Sequence, residues 1–140
     1  MSVTLLHYLA AGDLASANAV VLSGSSAPWR EHDPDALERL GETLAASDRP
    51  VLGICAGHQL LAMAAGGEVR PMAERGGAAE RGYAEVEVLD GSDLLRGLPA
   101  RTTVFHDHTD EIVSLPNGFR VLARSARSPV QAIAERERRW

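Results

Sequence analysis

A lone thiol between two glycines constrains this chain more than any other feature. The segment reads Val51-Leu52-Gly53-Ile54-Cys55-Ala56-Gly57-His58-Gln59-Leu60-Leu61, with an apolar run entering and an apolar pattern of helical spacing leaving. Gly-x-Cys-x-Gly at such a junction describes a strand turning sharply into a helix with the sulfur at the apex, the cysteine counterpart of the Gly-x-Ser-x-Gly elbow. Glycine is needed on both sides because a side chain there collides with the turn or the adjoining helix. The sulfur then faces the N-terminus of that helix, where unpaired N–H groups and the helix dipole favour thiolate over thiol. The competing reading is a small buried hydrophobe, the commonest state of a cysteine in an apolar run. The paired glycines tip the balance toward a nucleophile.

The rest of the chain limits what can surround such an elbow. Its 140 residues, 45% hydrophobic and 24% charged, suit one globular domain over residues 1–140 with a real core. One cysteine excludes an internal disulfide framework and fits a reducing, cytoplasmic setting. No apolar run approaches the roughly 18 residues of a membrane span, and Met1-Ser2-Val3 does not open a signal peptide. A formal charge of -5 gives no general attraction to nucleic acid or anionic membranes, so neither is expected as a partner. Arg136, Arg138 and Arg139 alternate with Glu135 and Glu137, as a solvated face does. No Gly-x-x-x-x-Gly-Lys loop occurs, so ATP chemistry is not encoded.

Residues 3–9 read as a strand, 19–22 as a shorter one and 23–28 as a loop. Asp33 is placed to cap a helix with Pro34 at its first position, running to about residue 46 with Leu37, Leu40 and Leu44 on one face. Residues 51–54 form a continuous apolar strand of the parallel, buried kind, and 57–65 a helix closed by Gly66-Gly67. Beyond that the period changes. Residues 83–89 alternate as a half-exposed strand does, 94–99 make a helical turn, and 102–105 form a strand entering His106-Asp107-His108-Thr109-Asp110. Two more strands follow at 119–125 and 130–134. Glu74, Arg75, Glu80 and Arg81 read as a solvated loop around Gly76-Gly77. His106 and His108 are expected to face opposite ways on an extended segment, which argues against a metal cluster there. The first half is α/β and the second mostly β, giving an open, mostly parallel sheet with helices on its faces.

Several segments, in order, resemble the class I (triad-type) glutamine amidotransferases, and the chain is similar to the amidotransferase domain of GMP synthase and its stand-alone relatives. Val21-Leu22-Ser23-Gly24-Ser25-Ser26 resembles the family's Leu-Ser-Gly-Gly-Pro loop. The nucleophile segment from Pro50 onward matches almost letter for letter, and Gly66-Gly67-Glu68-Val69 follows in place. His108-Thr109-Asp110-Glu111-Ile112 resembles Ser-His-Gly-Asp-Glu-Val, and the last two strands fit as well. The resemblance implies a flavodoxin-like fold, here incomplete. It implies that Cys55 attacks the side-chain amide of glutamine, with an oxyanion held by the backbone N–H of Ala56 and of Ser25. Gly24, Gly57, Gln59, Asp107 and His108 match positions lining the substrate site. Ser25 stands where the family has glycine, and a serine at positive φ there would be strained.

One match is missing. The family's general base is a histidine in Phe-His-Pro-Glu, whose glutamate orients it; here Pro129-Val130-Gln131-Ala132-Ile133 runs into Ala134-Glu135-Arg136 instead. The expectation is a domain clipped at both ends, its histidine and glutamate falling beyond Trp140. As substitute bases, His58 is expected to point away from the sulfur, while His108 could reach the pocket. The resemblance implies glutamine or a γ-glutamyl small molecule as ligand, and a synthetase domain or subunit that receives the ammonia. No cofactor and no metal are expected. A γ-glutamyl hydrolase of the same fold and a non-catalytic binding relative are the alternatives.

Overall fold

The computed structural model describes residues 4, 7, 14, 16–91, 93–135, 137, 139 and 140. The strand expected at residues 3–9 lies almost wholly outside the described residues, as do Arg136 and Arg138 of the basic end. The described elements begin with β1 (Val20–Leu22), a 3-10 turn at Trp29–Glu31, helix α1 (Pro34–Ala45), β2 (Val51–Gly53) and helix α2 (Ala56–Ala64). Then come β3 (Glu68–Pro71), β4 (Glu80–Val88), β5 (Arg101–His108), β6 (Asp110–Ser114), β7 (Arg120–Ser125) and β8 (Ala132–Ala134).

The α/β first half assembles as its pattern predicts. Asp33 accepts hydrogen bonds from the backbone N–H of Asp35 and Ala36, at 3.0 and 3.1 Å, and Pro34 opens α1. Strands β1 and β2 pair in parallel, Val20 opposite Val51 and Leu22 opposite Gly53. Leu40 and Leu44 of α1, Leu60 and Leu61 of α2, Val20, Val51 and Trp140 bury together in one core cluster. A second cluster joins Ala62 of α2 to Ile112 and Ile133. Helix α2 therefore sits between two cores, which fixes its position relative to both halves of the chain.

The second half is an antiparallel sheet in the order β5-β4-β7-β8, with β3 and β6 pairing antiparallel beside it. Among the described residues the parallel part of the fold is the β1–β2 pair, and antiparallel ladders make up the rest. Strand β4 begins three residues earlier than its alternation shows, and β5 extends through His108, taking in the first three residues of the polar cluster, while Asp110 opens β6. None of the helices among the described residues is long and apolar enough to cross a membrane.

Candidate active site

Cys55 sits at φ 53 and ψ -113, between the end of β2 and the first residue of α2. Positive φ is costly for a residue with a Cβ, and such strain is held only where the surroundings over-determine it. The surroundings here are backbone. A Cβ on Gly53 would lie 2.6 Å from the carbonyl of Gly57 and the amide nitrogen of His58. One on Gly57 would lie 2.3 Å from the carbonyl oxygen of Leu22. Both glycines are thus dictated by close approach, of β2 to α2 and of α2 to β1. The N–H of Ile54 donates to that same Leu22 carbonyl at 2.9 Å, and the thiol is left exposed.

The Ser23-Gly24-Ser25 loop reaches this thiol. A Cβ on Gly24 would stand 3.2 Å from the Cβ of Cys55 and 3.8 Å from its Sγ. Among the described non-glycine residues only Cys55 and Arg139 have positive φ. Ser25 therefore escapes the strain expected of it; its hydroxyl accepts from the N–H of Ala27 at 3.1 Å and lies 3.3 Å from Nε2 of His32. Ala56 opens α2, where first-turn N–H groups have no intrahelical acceptor.

On the far side of the thiol the end of β5 closes in. Sγ of Cys55 lies 4.0 Å from the carbonyl oxygen of Asp107, and the Asp107 carboxylate pairs with Arg81 at 3.4 Å. Gln59 is buried with both ends of its amide engaged: Oε1 accepts from the indole of Trp29 at 3.0 Å, and Nε2 donates to the carbonyl of Asp110 at 2.8 Å. Gln59 is a brace between the 3-10 turn, α2 and the β5–β6 junction. Sequence reasoning does not single out Trp29, because nothing local connects residue 29 to residue 59. A cleft of about 1150 Å³ opens beside Cys55, with Val21, Leu52, Ile54, Val104 and Phe105 among its lining residues.

His106 and His108 do not point apart. Residues two apart on a strand share a face, and the two rings lie 5.7 Å apart, centroid to centroid. Both turn toward Glu80, which is no part of a solvated loop: it is only 3% exposed and opens β4 directly opposite His108. Its Oε1 accepts from the Ser125 hydroxyl at 2.6 Å, and its Oε2 takes the Gln131 amide. Nδ1 of His108 is hydrogen-bonded to the Asp110 carbonyl at 3.0 Å, and its Nε2 faces Glu80 at 3.0 Å. Both ring nitrogens are thus aimed at Asp110 and Glu80 rather than at Cys55, so His108 is not placed as the base for the thiol. Burial lowers the pKa of His106, the more so for the neighbouring His108, while Glu80 opposes the shift. Burial, and His108 second, push His58 down to about 4, so its ring is neutral and a weak proton acceptor at neutral pH.

A strained, exposed cysteine at a strand-to-helix turn, with the Gly24 loop against it, places the chain among α/β proteins that present a cysteine at such a turn. The chain belongs to the class I glutamine amidotransferase family, whose family model matches residues 5–140. It is 49% identical over 84 residues to the glutamine-hydrolysing GMP synthase subunit of Thermococcus kodakarensis, covering 60% of this chain and 43% of that one. It is 44% identical over 119 residues to the GMP synthase of Thermomicrobium roseum, covering 85% of this chain and 21% of the relative. Among solved structures, a Thermoplasma acidophilum protein described as a candidate GMP synthase subunit superposes with a TM-score of 0.80 at 32% identity, covering 92% of this chain and 62% of that one. A glutamine amidotransferase from Thermotoga maritima gives a TM-score of 0.73 at 28% identity, covering 87% and 53%. The fold is accordingly the α/β, flavodoxin-like one of these amidotransferases, and the chain spans less than half the length of the curated relatives named here.

Proposed function

We propose that this chain carries the nucleophile half of a glutamine-hydrolysing site. The thiolate of Cys55 attacks the side-chain amide carbon of glutamine; the C–S bond forms, the C–N bond breaks, the leaving nitrogen takes up the proton the thiol gave up and departs as ammonia, and a γ-glutamyl thioester remains. Water then hydrolyses the thioester to glutamate and returns the thiol. The backbone N–H of Ala56, and that of Ser25 across the Gly24 loop, are our candidates for holding the oxyanion. Gly57 lets α2 start close enough to β1 for that geometry, and the backbone of Asp107 and His108 borders the substrate from β5. The observation that carries the reading is the exposed thiol held at positive φ between two glycines with no room for a Cβ. The names of the relatives supply the choice of glutamine, and their description as subunits supports a separate synthetase as receiver of the ammonia.

The test is covalent capture. A glutamine-shaped electrophile is expected to label Cys55 stoichiometrically, with free glutamine protecting it and Cys55→Ser abolishing the label. Labelling at the rate of a plain alkylating agent, with no protection by glutamine, would sink the reading. Protection by γ-glutamyl peptides instead of glutamine would move the assignment to a γ-glutamyl hydrolase.

A further inference from the structure

We propose that Glu80, His106 and His108 form a binding site for a divalent first-row transition metal ion, with Zn²⁺ the best match to the donors. Their ligand atoms all lie within 4.8 Å of one another. The register explains how they meet. Glu80 is the direct cross-strand partner of His108, and His106 is the diagonal neighbour on the same face. The residue opposite His106 is Gly82, so no side chain competes for the space across from its ring.

The hydrogen bonding favours a cation over a simple ion pair. The Asp110 carbonyl can only accept, so Nδ1 of His108 carries the proton in that 3.0 Å contact. Nε2 of His108 stands 3.0 Å from Oε2 of Glu80, yet the pair lacks the alignment of a hydrogen bond. Two lone pairs converging on a third atom have that geometry; an N–H aimed at a carboxylate does not. Nδ1 of His106 lies 3.9 Å from the same oxygen. For ligand bonds of about 2.1 Å a tetrahedral site needs donor separations of roughly 3.4 Å, so the two separations bracket it.

The outer contacts are those a metal site uses to fix its ligands. His108 is oriented by the Asp110 carbonyl, and Glu80 by Ser125 and Gln131. A hollow of about 770 Å³ reaches Glu80 and His106 from outside, giving an ion a way in and a water the fourth position. Five arginines line it: Arg75, Arg81, Arg101 and Arg124 pair with Glu111 at 3.3 Å, Asp107 at 3.4 Å, Glu85 at 3.0 Å and Glu87 at 2.7 Å, and Arg127 donates to the Ala79 carbonyl at 3.1 Å. A bound ion would clamp the start of β4 to the end of β5, whose last residues face Cys55.

The experiment uses the chain stripped with chelator, then titrated with Zn²⁺ by calorimetry and with Co²⁺ by visible absorption and proton NMR. One equivalent is expected, with a rise in Tm, Co²⁺ bands lacking sulfur charge transfer, and paramagnetic shifts on the rings of His106 and His108. His106→Ala and Glu80→Gln should each weaken binding by about 100-fold or more, while Cys55→Ser leaves it unchanged. Absence of saturable binding or of ring shifts in the wild-type chain would overturn the proposal, whatever the variants do. Undiminished binding in a folded His106→Ala chain, or loss of binding in Cys55→Ser, would overturn it equally.

Discussion

The elbow and the β4–β5 corner face each other across Asp107 and Asp110, yet they are built by opposite means. At the elbow, backbone meets backbone. Gly53, Gly57 and Leu22 approach so closely that a single Cβ has no room, and Cys55 takes its strained φ as the remainder of that fit. At the corner, side chains from several strands meet through register: Glu80 from β4, His106 and His108 from β5, Ser125 from β7, with Gln131 just before β8. One region tolerates no added atom. The other depends on every polar partner being present, because a buried donor or acceptor left alone bears its full desolvation cost.

The largest effect expected is at the elbow. Gly57→Ala places a Cβ 2.3 Å from the Leu22 carbonyl oxygen, and backbone cannot yield cheaply. Urea denaturation should show a loss of about 3 kcal/mol or more, with capture of Cys55 by the glutamine-shaped electrophile lost as well. A wild-type midpoint would mean that α2 does not start where its geometry places it.

His58 links the two regions, and acid probes it. Its folded pKa of about 4 lies below the ordinary 6.5, so the unfolded chain takes up the proton more readily between those values. Its neutral burial is therefore fully tolerated above pH 6.5, and stability falls as pH drops toward 4, by about 3 kcal/mol across the window. His58→Gln should flatten that part of the pH–stability curve; an unchanged slope would place the acid sensitivity elsewhere.

Ser125→Ala tests the corner. The hydroxyl donates to Glu80 and accepts from the N–H of Arg127 and Ser128 and the amide of Gln131. Removing it should cost about 2 kcal/mol and, unlike any elbow variant, weaken Zn²⁺ binding while leaving the labelling of Cys55 intact. The smallest effect belongs to Asp33→Ala, which removes the cap of α1 and should cost about 1 kcal/mol, with neither labelling nor metal binding altered. Should Asp33→Ala impair the labelling, the elbow is not the locally determined unit described above.

The contrast also marks what can be read from residue order. The elbow, the α1 cap and the helical face of Leu37, Leu40 and Leu44 are legible because their causes lie within a few residues of one another. Glycine spacing, a cap before a proline and a 3.6-residue period are local signals. Glu80 reads wrongly as solvated because Glu74, Arg75 and Arg81 around it are charged, and burial is invisible in such a run. The expectation that the two histidines face opposite ways fails because strand geometry puts residues two apart on one face. Strand β6 and the Trp29–Gln59 contact carry no local signal.

By itself the sequence determined the turn that presents Cys55, since glycine where no Cβ fits and a cysteine between leave little conformational choice. Only the tertiary structure decided what Glu80, His106 and His108 are to one another, and that Gln59 braces rather than hangs free. Register and burial are properties of paired strands. They bring Glu80 of β4 against His106 and His108 of β5 across the intervening turn, and no short window along the chain contains both partners.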